Sequence, residues 1–244
     1  MKPIIKNQGV IIKTKDYKDS SKIITILTKE GLIDLILKGT TSMNSGNKKY
    51  TIPPVMVEFL MTSSNTLSTF IEGYVLNNFT NIKSNLEKNF ICMAILEKVI
   101  TFTSHIDELE QFYYFVIKTL EILNENEYSN IVLNIFEIKL LYLLGISPAI
   151  NYCNICGEKK DLVMSLNQGS VICKKCANKH NFDLNINETE LFKYLYLIKL
   201  DKIDEKFLEI IDSMKISLDH FIDRYYEKYI DFYSTTKKII KKVS

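Results

Sequence analysis

Up to about Asn77 the apolar residues come in short runs rich in isoleucine, leucine and threonine, whereas beyond Asn81 they recur every three or four positions. The first pattern predicts strands and the second amphipathic helices, because side chains alternate across a strand but return to one face of a helix about every 3.6 residues. Strands are expected over Gly9 to Thr14, Lys22 to Thr28, Leu32 to Lys38, Val55 to Thr62 and Leu67 to Leu76. Lys29-Glu30-Gly31 makes a compact turn, Ser63 to Asn65 makes another, and polar Gly39 to Lys49 forms a long loop in the middle. Five strands, each expected to run antiparallel to its neighbours, suit a small barrel. That order fits an OB-fold and an SH3-like barrel alike; we lean to the OB-fold because small basic OB barrels commonly serve single strands.

The helical period covers Leu86 to Ile100, Leu109 to Leu123 and Ile131 to Leu144, with Gly145 and Pro148 placed to end the last helix. A further helix is predicted from Glu188 to Leu200, capped by Asn187, and a final one from near Glu205 past Tyr229. The chain therefore reads as α+β: an OB-fold barrel at 1-80, the first part of a helical domain at 81-150, a four-cysteine ribbon at 151-182, and the second helical part at 183-244.

The net charge of +2 conceals an asymmetry: residues 1 to 50 carry ten lysines against four acids, and residues 81 to 150 carry five against nine. An anion-binding surface is thus expected in the barrel. Its candidates are Lys13, Lys15, Lys38, Lys48 and Lys49, with Tyr17 and Tyr50 as stacking partners, since lysines interleaved with aromatics hold single strands by phosphate attraction and base stacking. The bland alternative is a solvated face of a lysine-rich protein. Arg224 is the only arginine, which favours backbone contact over base reading. The lysines of the tail, Lys237, Lys238, Lys241 and Lys242, are expected to fray into solvent.

Cys153-Asn154-Ile155-Cys156 and Cys173-Lys174-Lys175-Cys176 are separated by sixteen residues, the spacing of a paired-knuckle zinc site. Two residues between ligands let both thiolates of a knuckle reach one Zn²⁺, and four thiolates close its shell against water, which makes the ion structural. Gly157 and Gly169 suit the tight turns of such a ribbon. Lys159, Lys160, Lys174, Lys175 and Lys179 can offset the surplus negative charge of about two. The alternatives are two disulfides or four free thiols. Cys92 sits on an apolar helix face and reads as core. His180 can stand in for a cysteine but is not needed, and His105 and His220 have no partners at catalytic spacing.

No apolar run reaches the length of about 18 residues that spans a bilayer, and Met1 to Lys6 holds no secretory signal, so a cytoplasmic location and reduced thiols are expected. The chain lacks a Walker loop, a Rossmann glycine fingerprint, a His-Glu metalloprotease motif and the His-x-Glu of a zinc deaminase, which argues against an enzyme. An interaction scaffold built on Glu108, Glu110, Glu125 and Glu127 is the other alternative.

Three segments together resemble the bacterial RecO recombination mediators: Gly9 to Tyr17 with Lys22 to Gly31 and Leu37-Lys38-Gly39; Phe136 to Pro148 leading into Cys153-Asn154-Ile155-Cys156-Gly157; and Phe221-Ile222-Asp223-Arg224-Tyr225-Tyr226. The order of barrel, helices, zinc ribbon and helices matches over essentially the whole chain. The resemblance implies an OB-fold that binds single- and double-stranded DNA and anneals complementary strands. It also implies work with RecR and single-stranded DNA-binding protein to load recombinase at gaps, near the nucleoid, with no small-molecule substrate. One departure is visible: where the family often has arginines after the Lys-Gly, Lys38-Gly39 is followed by Thr40-Thr41-Ser42, so contact is expected to weaken there or shift to Lys48 and Lys49.

Overall fold

The computed structural model describes residues 3–40, 45–63, 67–179 and 181–243, with side-chain surroundings up to residue 239. Thr41, Ser42, Asn65, His180 and the side chains of Lys241 and Lys242 lie outside the described residues. By its internal contacts the chain divides into two compact units, Met1–Glu125 and Asn126–Ser244.

In the first unit, β1 (Ile4–Tyr17), β2 (Ser21–Thr28), β3 (Gly31–Lys38), β4 (Val55–Thr62) and β5 (Ser68–Asn77) close into a barrel of order β1-β2-β3-β5-β4. Closure depends on the length of β1, which pairs with β4 from Ile4 to Ile11 and with β2 from Val10 to Tyr17. A bulge between Ile11 and Lys13 turns the strand from one partner to the other. The expectation of antiparallel neighbours throughout fails at one pair. β3 and β5 run parallel, Leu35 opposite Ser68 and Ile36 opposite Thr69. The reason is parity: an odd ring of strands cannot alternate direction all the way round. The five-stranded barrel is an OB-fold.

Ile11, Ile24, Ile26, Leu35, Leu37, Val57 and Phe59 fill its interior, each buried side chain contributing roughly 1.5 to 3 kcal/mol. Gly9 is packed so closely that a Cβ there would stand 2.5 Å from both Ile26 Cγ2 and the Leu27 carbonyl oxygen. Since the carbonyl belongs to the sheet and cannot step aside, Gly9→Ala is expected to cost roughly 1 to 3 kcal/mol of barrel stability. Urea unfolding measures this, and an unshifted midpoint would contradict the packing.

Three helices complete the unit: α1 (Thr80–Ser84), α2 (Leu86–Phe102) and α3 (Leu109–Glu125). Asn85 caps α2 by accepting from the Lys88 amide at 3.0 Å. α2 touches β1, and α3 touches β2 and β3. Val10 and Leu27, paired across β1 and β2, are completely buried. Lys29 binds Glu110 at 2.7 Å, so that acid is occupied within the unit. Cys92 is buried on α2, as its apolar neighbours imply.

The second unit holds α4 (Ser129–Leu143), the hairpin β6 (Leu162–Ser165) and β7 (Ser170–Cys173), α5 (Lys174–Ala177), α6 (Ile186–Leu197), α7 (Glu205–Ser213), α8 (Asp219–Ile230) and α9 (Thr235–Val243). Gly145, at φ 69°, ends α4 as predicted. Two of the predicted helices differ from expectation, the first of them ending at Leu197 rather than Leu200. α6 is capped by Asn185 rather than Asn187: the Asn185 side chain accepts from the Glu188 amide at 3.1 Å while the Glu188 carboxylate accepts from the Asn185 amide at 2.7 Å. The single long C-terminal helix is three helices, interrupted near Lys215 and Asp231, whose φ angles of 53° and 51° are left-handed.

α8 ties the unit together through three tyrosines. Tyr225, Tyr226 and Tyr229 donate to the carbonyls of Ile146, Glu137 and Leu166 at 2.8, 2.8 and 2.7 Å. Lys237 corrects the reading of the tail as solvated. It is 6% exposed, and its ammonium meets Asp223 at 2.7 Å and Glu137 at 3.0 Å. Among the described residues, no helix is long and apolar enough to cross a membrane.

Candidate functional site

Lys13, Lys15 and Tyr17 occupy alternate residues of β1 and so share one face. Lys13 and Lys15 are exposed and Tyr17 is half-buried. Ser21 on β2 lies opposite Tyr17, and Lys38 on β3 lies opposite Ser21. Tyr17, Ser21 and Lys38 therefore stand in one row across three strands on the outer face, with Tyr17 and Lys38 about 10 Å apart at their backbones.

The next segment brings the remaining lysines to the same end. Gly46–Tyr50 is a 3₁₀ turn started by Ser45, whose side chain accepts from the Asn47 amide. Asn47 Nδ2 donates to the Lys38 carbonyl at 2.9 Å, and Thr14 Oγ1 donates to the Thr51 carbonyl at 3.1 Å. The turn is thereby fastened beside β1 and β3, with Lys48 and Lys49 exposed on it. Lys13 occupies the weakest position of the set, since its row continues through Thr25 to Asp34, whose carboxylate accepts from Thr25 Oγ1 at 2.6 Å.

Tyr50 does not belong to this surface. It is 2% exposed, its ring lies 4.9 Å from that of Phe70, and its hydroxyl donates to the Gly73 carbonyl. Burial of the ring in the barrel outweighs exposing it, so of the two tyrosines Tyr17 alone is partly open to solvent. Sequence reasoning passed over Lys18, exposed in the β1–β2 turn with its ammonium 5.2 Å from the centroid of the Tyr17 ring. The polar triplet Lys18-Asp19-Ser20 was the available signal. Lys22, by contrast, is occupied by Asp16.

In the second unit the four predicted cysteines converge. Their sulfurs all lie within 4.8 Å of one another, and Cys156 Sγ stands 3.6 Å from Cys173 Sγ. Cys153 and Cys156 sit on a turn in which the Gly157 amide donates to the Cys153 carbonyl at 2.9 Å, with Gly157 at φ 78°. Cys173 ends β7 and immediately precedes α5, which carries Cys176. Gly169 makes the hairpin turn at φ 58°, where a Cβ would come within 2.6 Å of the Tyr229 hydroxyl.

The electrostatics of the cluster suit a cation. Burial raises the Cys153 thiol, but the amides of Cys173, Cys156 and Ile155 outweigh it and bring the thiol down to about 6. Cys176 is pushed up to about 12 by burial and by the thiols of Cys156, Cys173 and Cys153. One thiolate thus raises the cost of the next, and a positive ion among the sulfurs removes that obstacle. The four side chains can hold one metal ion.

Two family models match this chain: Recombination protein O N terminal over residues 1–79 and Recombination protein O C terminal over residues 83–235. The chain belongs to the RecO family. It is 27% identical over 247 residues to DNA repair protein RecO of Bacillus pumilus (strain SAFR-032), covering 98% of this chain and 94% of that one. Its identity to the proteins of the same name is 26% in Listeria monocytogenes serotype 4b (strain CLIP80459), over 98% of this chain and 94% of that one, and 25% in Bacillus subtilis (strain 168), over 97% and 94%.

The two family models meet close to the end of β5, so the RecO N-terminal match corresponds to the barrel. The C-terminal match contains all four cysteines and α8. In this RecO-family chain the ribbon lysines Lys159, Lys160, Lys174, Lys175 and Lys179 are all exposed. Glu158 stands at the mouth of the cysteine cluster, and its carboxylate accepts from the amides of Lys159 and Lys160 at 2.7 and 3.1 Å, which lowers its pKa.

Proposed function

We propose that this chain is a recombination mediator that binds single- and double-stranded DNA through the lysine-bearing outer face at one end of its OB barrel. In this reading it anneals complementary strands and, with RecR and single-stranded DNA-binding protein, helps load recombinase at gaps. The observation that carries the reading is the gathering of Lys15, Tyr17, Lys38, Lys48 and Lys49 at one end of an OB-fold in a RecO-family chain. Lysines there neutralise phosphates without reading bases, and Tyr17 offers one stacking face, so the expected binding is tolerant of sequence and sensitive to salt. The protein acts by holding strands, not by catalysis, in the cytoplasm beside the nucleoid.

The metal in this reading is one structural Zn²⁺ held by Cys153, Cys156, Cys173 and Cys176. Sulfurs arranged tetrahedrally at a zinc–sulfur distance of about 2.3 Å are about 3.8 Å apart, and the Cys156–Cys173 separation of 3.6 Å fits that edge. The closed shell supplies no Lewis-acid chemistry, so the four residues serve to order the ribbon.

Replacing Lys38, Lys48 and Lys49 together by glutamate tests the DNA surface. Single-strand affinity is expected to fall, and the slope of log affinity against log salt to flatten by about 2, at about 0.7 per lost phosphate contact. Fluorescence anisotropy across a salt series measures both, and unchanged binding at moderate salt would sink the proposal. Annealing of complementary oligonucleotides coated with single-stranded DNA-binding protein separates a mediator from a scaffold: a scaffold keeps its protein partners and does not anneal.

A further inference from the structure

Between α5 and the start of α6, within the second unit, lies a cleft of about 660 Å³ that the metal centre does not explain. Lys174, Lys175, Asn178, Phe182 and Asn187 line its walls, with Val163 also contributing. Phe182 is 51% exposed, so its ring is accessible from solvent on the cleft side. Among the described residues, none that lines the cleft carries a carboxylate. Its size is within the range that holds small organic groups.

The ordinary account of the ribbon lysines is that they offset thiolate charge, and for some of them the geometry agrees. Lys159 lines the opening beside Cys156 and Cys173. Lys175 lines both that opening and the cleft, whereas Lys174 lines the cleft alone. Lys174 thus faces a space with an aromatic ring and amides in it. The start of α6 adds no free anion site, because Asn185 and Glu188 already cap it, so attraction for an anion falls to the two lysines. A cationic wall, an exposed ring and side-chain amides form the combination that holds a nucleotide of a single strand: phosphate on the ammonium groups, a base on the ring, and polar base edges against the amides.

We infer that this cleft is a second contact for single-stranded DNA, with a phosphate held by Lys174 and Lys175 and a base stacked on Phe182. The inference rests on the DNA-binding function proposed above and adds a site in the other unit. A protein with two separate strand contacts can keep one strand on the barrel while a second is held by the ribbon, which is what annealing demands.

The test uses the full, metal-loaded chain and an oligothymidylate longer than the roughly 4 to 16 nucleotides that one OB-fold covers, carrying 5-iodouracil for photo-cross-linking. Peptide mapping is expected to find cross-links on the peptide that contains Phe182 as well as on the barrel. Phe182→Ala should lower affinity on the order of fivefold, the effect of one lost stacked base, and Phe182→Tyr should restore it. Lys174→Glu with Lys175→Glu should flatten the salt slope by about 1.4. If the lysine variant sheds metal, Phe182→Ala and the cross-linking of the unaltered chain decide the matter. Cross-links confined to residues 1–80, together with unchanged affinity of Phe182→Ala, would overturn the cleft while leaving the barrel reading in place. The loss of barrel cross-links and an unaffected Lys38, Lys48 and Lys49 variant would instead overturn the DNA-binding reading itself.

Discussion

Cys153→Ser is expected to abolish the metal binding proposed for the four cysteines and to loosen the second unit while the barrel stays folded. Cys153 is 1% exposed, and its amide donates to the Glu158 carbonyl at 2.7 Å, so it anchors the first knuckle at its inner side. Serine offers a poor ligand in place of a thiol whose pKa the surrounding amides bring down to about 6. Metal binding in small zinc modules is worth apparent free energies of about 10 to 16 kcal/mol, and that binding energy is folding energy. The helices of the second unit have a core of their own, so the expected result is a loosened ribbon and a destabilisation of at least about 3 kcal/mol, not full unfolding. Metal analysis should fall from one ion per chain to a small fraction, and limited proteolysis should open new sites between residues 151 and 182. The DNA binding proposed for the barrel should be partly kept. A variant that still carried one ion per chain would rule out the closed four-sulfur site.

Lys237→Met is the second large effect. Glu137 is 1% exposed on α4 and faces the Lys237 ammonium with oxygens at 3.0 and 3.2 Å. Burial alone would lower the Lys237 pKa, but Glu137, Asp223 and Asp219 outweigh it and hold the pKa above the ordinary lysine value. Removing the cation breaks a buried ion pair from one side, a change that costs about 3 to 5 kcal/mol. Urea unfolding of the second unit should register that loss. Lys237→Met combined with Glu137→Met should recover most of it, because two apolar side chains carry no desolvation cost. A single variant as stable as the unaltered chain would contradict the buried pair. The sign with pH follows from the raised pKa: the contribution is fully present below the unfolded value of 10.5 and disappears only as pH rises through the higher folded value.

These two residues illustrate how unevenly the site was legible. Cys153, Cys156, Cys173 and Cys176 could be read because their chemistry is written in local spacing: two residues within each pair, and only a short hairpin, β6 and β7, between the pairs. Lys237 was read as a frayed cation because its partners are 100 and 14 residues away, on α4 and α8. Tyr50 failed for the same reason. Beside Lys48 and Lys49 it looks like a stacking residue, yet its ring belongs to the barrel interior, against Phe70 on β5.

The sequence by itself determined the five strands, the cysteine ribbon and most helices, since each depends on periodicity or spacing within a few residues. Gly145 ended α4 on the same local logic. The structure decided what depends on distant segments meeting: the parallel pairing of β3 with β5, the two partners of the long β1, the helix breaks at Lys215 and Asp231, and which charged or aromatic side chains enter the core. Burial is set by what the rest of the chain packs around a residue, and no local pattern encodes that.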